Sequence, residues 1–313
     1  MSIPFFSICI PVYKNTSHLR RLLDSIFLQT FTDYEVIVTD DTPDDSIQDM
    51  LHKNFPDKHI HYFHNQLSLG TPENWNAAIR RAKGQWIKLM HNDDWFADEY
   101  SLQHFYDAVQ ANPGINFFFA AFVNITETTG HRQPVRMDWF DRMFLKCSPY
   151  HLFRKVYVGN PSCTLVKNGL GIRYNRQFKF VVDFDYYIRL IKAGHAYKYI
   201  DAYLLHIGFH EEQVTQYTKF NPSVQIFENV ALLKQFGPGI LKNIFVFDYY
   251  WRLFRNIGVT NATDAAQYIQ EDFPGPLVKM LQLQSRIPIR TLKIGVVSKA
   301  FMFLAYLRNL AGL

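Results

Sequence analysis

Two pairs of adjacent aspartates, Asp40-Asp41 and Asp93-Asp94, each close a run with strand character. Neighbouring carboxylates repel each other and add little to a fold. They become favourable where a hard divalent cation and its phosphates sit. The second pair ends the stretch Trp86-Ile87-Lys88-Leu89-Met90-His91-Asn92-Asp93-Asp94-Trp95, in which a strand-like run is cut off abruptly by charge. Asp93 and Asp94 therefore read as the centre of a nucleotide-diphosphate and metal site. A lone pair of this kind is also a common helix start, so the surrounding residues decide. Pro11 and Tyr13 stand where the first apolar run ends and can shape and face a flat pyrimidine; Tyr13 could equally be an ordinary loop aromatic. An aspartate of the Asp40-Asp41 pair can accept a hydrogen bond from the pyrimidine N–H, or can cap a helix. Asp183 stands at a helix start among apolar residues. Partial desolvation would poise it to take a proton; as a plain N-cap it would do no chemistry.

The elements between these residues place them. Residues 5–12 are an apolar run broken only by Ser7, the pattern of a strand buried on both faces. Capping side chains at residues 15–17 precede Leu19, Leu22, Leu23, Ile26 and Phe27 at helical spacing. Strands are expected at 34–39, 60–64 and 86–90. Helical stripes lie between them, one opened by Pro72, carrying Trp75, Ala78, Ile79 and Ala82, and ended by Gly84. Strand-helix alternation with short connections implies a parallel sheet with right-handed crossovers, whose carboxyl ends meet on one rim. Further strands are expected at 116–125, 162–166 and 197–205, and a helix at 183–193. Residues 130–150 lose periodicity and read as a loop over one face. Beyond Asn221 helical patterns dominate, giving domains 1–220 and 221–313. Residues 291–310 are apolar, with Lys293, Lys299 and Arg308 spaced through them. Such a helix can lie on a membrane surface, pack on the catalytic domain, or contact a second subunit of a homo-oligomer.

Bulk composition narrows the classes. With 48% hydrophobic and 19% charged residues over 313 positions, a large core is available and global disorder is excluded. A net charge of +5 without a Lys/Arg block suits anionic substrates and argues against nucleic acid. Three cysteines (Cys9, Cys147, Cys163) without CxxC spacing argue against a disulfide framework or zinc site and for a reducing compartment. The start of the chain lacks the basic and apolar regions of a signal peptide. A cytoplasmic protein, peripheral on the inner membrane face, is the expectation. No GxGxxG follows the first strand, which disfavours a dinucleotide-dependent dehydrogenase. The Gly-rich, basic N-terminal loop of sugar nucleotidyltransferases is also missing.

Several segments together resemble family 2 glycosyltransferases. Residues 7–15 (Ser-Ile-Cys-Ile-Pro-Val-Tyr-Lys-Asn) are similar to the opening strand of that family. Residues 25–41 resemble its S-x-x-x-Q-T-x-x-x-x-E-x-I-V-x-D-D passage. Asn74-Trp75-Asn76-Ala77-Ala78 and Ala82-Lys83-Gly84 resemble the helix before its metal-binding strand, which adds Asn74 to the nucleotide-side candidates. His91-Asn92-Asp93-Asp94 falls at the DXD-type motif, with His91 where many members carry Asp. Gly159-Asn160-Pro161-Ser162 resembles a loop beside donor sugar and acceptor. Residues 182–190 resemble the E-D-x-D-x-x-x-R helix start, with Val182 in place of Glu. Residues 206–215 resemble the segment that closes the catalytic domain.

The resemblance covers roughly residues 5–215. It implies a GT-A fold: α/β, a Rossmann-like and mostly parallel sheet flanked by helices, here with a helical C-terminal extension. It implies an inverting transfer from a UDP- or dTDP-sugar to a hydroxyl of a glycan or lipid-linked acceptor, of the kind that builds cell-surface polysaccharide. Asp40 would bind the uracil or thymine edge, with Asp41 beside it. Asp93 would lie near the ribose, and Asp94 would ligate Mg2+ or Mn2+. His210 would stand near the diphosphate or metal, and Asp183 would be the catalytic base. A non-catalytic sugar-nucleotide-binding or scaffold protein of the same fold is the alternative, supported by the changes at His91 and Val182.

Overall fold

The computed structural model describes residues 3–210, 218, 221–259, 261–269 and 272–310. The chain divides into two compact units. The first comprises residues 1–142, 157–176 and 185–211; the second comprises 143–156, 177–184 and 212–313.

The first unit is built on strands β1 (Phe6–Val12), β2 (Tyr34–Asp40), β3 (Ile60–His64), β4 (Trp86–Leu89) and β5 (Trp95–Phe96). They are followed by β6 (Phe117–Thr126), β7 (Arg132–Val135), β8 (Thr164–Lys167) and β9 (Tyr197–Phe209). The sheet order is β3-β2-β1-β4-β8-β6-β9-β5, with β7 on β6. Every residue of β1 is buried, as its unbroken apolar run requires of a central strand covered on both faces. β3, β2, β1 and β4 are parallel, so β1, β2 and β4 bring their carboxyl ends to one rim. Beyond β4 the sheet is mixed: β8 runs antiparallel to β4 and β6, and β9 runs parallel to β6 and antiparallel to β5. Helices α1 (Thr16–Phe27), α2 (Ser46–Asn54), α3 (Glu73–Arg81) and α4 (Ser101–Ala111) complete the N-terminal half. α1 and α2 bury Leu19, Leu22, Leu23 and Ile26, and Ile47, Met50 and Leu51, the stripes their spacing predicts. Gln29, just after α1, holds the turn that leads into α4. Its amide donates to the Asp98 carbonyl at 2.7 Å and accepts from the Leu102 N–H at 2.8 Å.

Residues 130–150 differ from the expected plain loop. They contain β7, helix α5 (Trp139–Cys147) and the start of a 3-10 turn at Pro149–Phe153. The apolar stripe of α5 is short and interrupted by charge, so periodicity alone does not reveal it. α4, β5 and β7 also went unforeseen, two of them being too short to leave a pattern. α6 (Val182–Lys192) opens in the second unit and continues in the first.

The second unit holds α7 (Pro222–Phe236), α8 (Ile244–Ile257), α9 (Ala262–Ala266), α10 (Gly275–Gln284), α11 (Ile289–Leu292) and α12 (Gly295–Leu310). Trp251 and Tyr250 of α8 anchor its core. The Trp251 indole N–H donates to Ser298 Oγ of α12 at 3.1 Å, and Gln284 of α10 donates to the Trp251 carbonyl at 2.8 Å. Among the described residues no helix is long and apolar enough to cross a membrane. Cys9 and Cys163 are buried and Cys147 is exposed, all three as free thiols.

Candidate active site

At the end of β4, the chain turns so that His91, Asp93 and Asp94 each offer a ligand atom within 4.8 Å of the others. Asp94 is fully buried. Its Oδ2 accepts from Ser162 Oγ at 2.6 Å and Asn160 Nδ2 at 2.7 Å, and its Oδ1 accepts from the Gly208 N–H at 3.2 Å. Burial, followed by the neighbouring Asp93 charge, pushes the Asp94 carboxyl well above the usual carboxylate range. A carboxylate so placed is costly unless a positive charge joins it.

His91 stacks on Trp75, with ring centroids 4.6 Å apart, and its main-chain N–H donates to Ser162 Oγ at 2.9 Å. Burial pulls its pKa down, so the ring is neutral and able to ligate. Its Nε2 is shielded from solvent and has no hydrogen-bond partner among the described residues. A neutral imidazole whose Nδ1 lies 4.0 Å from Asp94 Oδ2, with the Asp93 carboxylate in the same cluster, is a donor set suited to one divalent cation, and imidazole favours Mn2+ over Mg2+. On these grounds the residues fit the expected metal.

Asp93 also reaches a histidine. Its Oδ2 lies 3.1 Å from His210 Nε2, so the two residues named separately from sequence come together. His210 packs on His18 with ring centroids 4.8 Å apart, and His18 Nε2 lies 3.0 Å from Glu127 Oε2. Arg21 closes the circuit. It donates to Glu127 Oε1 at 2.6 Å and to the Asp93 carbonyl at 2.8 Å, with its guanidinium 3.8 Å from the Trp95 ring centroid. His18, Arg21 and Glu127 were not anticipated. They lie on α1 and just after β6, remote in sequence, and no local pattern marks them. Residues 211–215, the rest of the closing segment, lie outside the described residues.

The base-side candidates are more deeply committed to the scaffold. Asp40 is fully buried; Oδ1 accepts from the Thr42 N–H at 2.8 Å and Oδ2 from Tyr62 Oη at 2.8 Å. Asp41 accepts from Asn65 Nδ2 and from the Leu69 and Gly70 N–H groups at 2.8–3.0 Å, which holds the loop after β3. Asn74 donates to the Val12 and Thr39 carbonyls at 3.3 and 3.0 Å, so it ties the ends of β1 and β2. Pro11 is buried in β1, whereas Tyr13 is 56% exposed and open to a ligand. After Tyr13, Lys14 (φ 57°) and Asn15 (φ 53°) are consecutive non-glycine residues in the left-handed region. Such strain gathers at functional loops. Asn15 then caps α1 through the His18 N–H at 3.1 Å.

The loop at residues 159–162 is the cradle of Asp94. Gly159 has φ +82°, and a Cβ there would meet Cys163 Sγ at 2.6 Å and Phe122 Cε1 at 2.7 Å, so only glycine fits. Beneath it, fully buried Lys88 donates to the Ser162 and Thr164 carbonyls, and burial lowers its pKa to about 7.

Asp183 belongs to the second unit. Burial raises its pKa to about 7, and its Oδ1 is shielded and without a hydrogen-bond partner among the described residues. The segment before it is held by Glu228 of α7, whose carboxylate accepts from the Lys179, Phe180 and Val181 N–H groups at 2.8, 2.8 and 3.1 Å. Phe184, next in line, packs edge-on against Phe153 at 5.2 Å. Farther along α6, Arg189 reaches Asp185 Oδ2 at 2.7 and 3.0 Å, the four-residue pair its spacing predicts.

The sequence profile described as glycosyl transferase family 2 matches residues 7–169, just over half of the chain. The chain belongs to glycosyl transferase family 2. WcaA of Escherichia coli K12, a glycosyl transferase assigned to colanic acid biosynthesis, is 25% identical over 69% of this chain and 77% of its own length. An uncharacterised glycosyltransferase of Haemophilus influenzae is 29% identical over 36% of this chain, which spans 37% of that protein. Among solved structures, residues 1–349 of S. aureus TarS in complex with UDP-GlcNAc are 16% identical, with a TM-score of 0.59 over 96% of this chain and 89% of that fragment. The mannosyltransferase PcManGT of Pyrobaculum calidifontis, in complex with GDP-Man and Mn2+, is 13% identical, with a TM-score of 0.57 over 99% of this chain and 88% of that one. The family 2 chain thus has the GT-A fold with a helical C-terminal region. Family membership weighs against the non-catalytic alternative.

Proposed function

We propose that this family 2 glycosyltransferase moves a sugar, with inversion, from a nucleoside-diphosphate sugar to a hydroxyl of a glycan or lipid-linked acceptor. The work would serve cell-surface polysaccharide synthesis at the cytoplasmic face of a membrane. The observation that carries this reading is the cluster of His91, Asp93 and Asp94 at the end of β4, with its unpartnered His91 Nε2. The sugar nucleotides held by TarS and PcManGT and the colanic acid role given to WcaA support it. UDP- or dTDP-sugars are the favoured donors, with Tyr13 against the base and the Asp40-Asp41 strand end at its edge.

Asp94, His91 and Asp93 would hold Mn2+ or Mg2+, with His210 oriented through Asp93. The cation supplies Lewis-acid neutralisation of charge on the departing diphosphate. Asp183 accepts the proton of the acceptor hydroxyl, whose oxygen bonds to the anomeric carbon as the carbon–phosphate-oxygen bond breaks. The nucleoside diphosphate leaves with the electron pair. A carboxylate whose pKa lies near 7 is matched to this task. Residues 1–220 would form the catalytic domain and 221–313 a helical region; Glu228, in the same compact unit as residues 177–184, fixes the residues before the proposed base. NMR of the product formed from a UDP- or dTDP-sugar of known anomeric configuration tests the reading. Inversion is expected, and retention would contradict a single displacement.

A further inference from the structure

Positive charge is unevenly distributed along this chain. From residue 273 to the end there are six Lys or Arg and no Asp or Glu. The whole chain holds 33 basic and 28 acidic residues, which leaves 27 against 28 before residue 273. The net charge of +5 therefore comes from the last helices alone.

α12 carries this charge beside an uncovered apolar face. It buries Ser298, Met302 and Ala305 on one side. The opposite side, at the three- and four-residue spacing of a helix face, presents Val296, Ala300, Phe303, Leu304 and Leu307. Val296 is 83% and Leu304 56% exposed, well beyond a scattered surface apolar residue. At 100° per residue, Lys299 borders this stripe on one flank and Arg308 on the other. Arg286, Arg290 and Lys293 stand exposed just before it. Lys299 also bonds Asp248 at 2.7 Å, so its charge is shared with α8.

We infer that α12 docks this enzyme on an anionic lipid surface, lying in the plane of the headgroups. Its apolar stripe would enter the acyl boundary, with the basic flanks reaching phosphates on either side. A second copy of the chain is the other candidate occupant. A two-fold pairing of this face would set basic flanks against basic flanks, with Asp248 already shared between Lys299 and Arg252, which costs binding. This gives the partner for the membrane-face reading proposed above and rests on it only for location.

Flotation with vesicles of phosphatidylcholine alone, and of phosphatidylcholine mixed with phosphatidylglycerol, tests the inference on the full chain. The chain should float with the anionic vesicles only, and salt should release it. The triple variant Phe303→Ser/Leu304→Ser/Leu307→Ser should fall to the phosphatidylcholine background. The variant Arg290→Glu/Lys293→Glu/Arg308→Glu, which leaves the stripe intact, should bind anionic vesicles about a hundredfold more weakly. Failure to float with anionic vesicles, or flotation unchanged in both variants, would overturn the inference. So would a dimer in sedimentation velocity that the serine variant dissolves while vesicle binding is absent. Mn2+-dependent UDP binding should be equal in wild type and serine variant. Its loss in the wild type would sink the donor reading and leave the vesicle result standing.

Discussion

In the proposed mechanism two carboxylates, Asp94 and Asp183, divide the chemistry. Asp183 has a pKa raised to about 7 by burial, so it is protonated at pH 5 and ionised at pH 9. Transfer should therefore rise with pH through about 7, as the base form fills. The same shift acts on stability with opposite sense. Between its ordinary value near 4 and about 7 the folded protein binds the extra proton, so folding weakens as pH rises across that window. Asp183→Asn should lower kcat by about 10²–10⁴-fold, flatten the rise near pH 7 and spare nucleotide binding. Turnover near wild type would remove Asp183 from its role. At this scale the sequence is readable where the pattern is local: Asp93-Asp94 stands out by type and context and does cluster with His91, whereas Asp183 is singled out only through the family resemblance. His18, Arg21 and Glu127 do not stand out, because their meaning lies in contacts spanning more than a hundred positions, such as Arg21 to Glu127 at 2.6 Å. Asn74 and Asp40 point the same way. Their motif position was plain, but the strand ends and turns they bind became visible only in the fold.

At the scale of elements, strand ends and short loops hold the site. Gly208 of β9 passes so close to the cluster that an added Cβ would meet the Asp93 carbonyl at 2.5 Å, while its N–H supports Asp94. Gly208→Ala should push β9 outward, cost about 1–3 kcal/mol in chemical denaturation and weaken metal-dependent nucleotide binding. A silent substitution would show that β9 can yield without disturbing Asp94. Glu228 gives a second case. Three consecutive N–H groups converge on its carboxylate, and a glutamine has one acceptor oxygen where two are used. Glu228→Gln should cost about 1–3 kcal/mol of stability and lower kcat more than it raises KM. Equal kcat would mean that residues 179–181 hold their shape unaided. The parallel half of the sheet was legible because buried strands and amphipathic helices alternate there with strong periodicity. The region at 130–150 was not, since α5 and β7 are short and their register depends on β6 and its partners.

For the whole molecule, the first unit gathers a rim of strand ends around His91, Asp93 and Asp94, and the second holds Asp183, the proposed base, and a strongly basic helical end. Calorimetric titration of UDP, dTDP and GDP, each with and without Mn2+, tests the central claim most directly. One diphosphate should bind in the presence of Mn2+ and bind weakly or not at all without it, and Asp94→Ala should lose that dependence. Binding of none of the three by well-folded protein, or binding indifferent to both Mn2+ and Asp94, would contradict the assignment of this rim as a metal and nucleotide site.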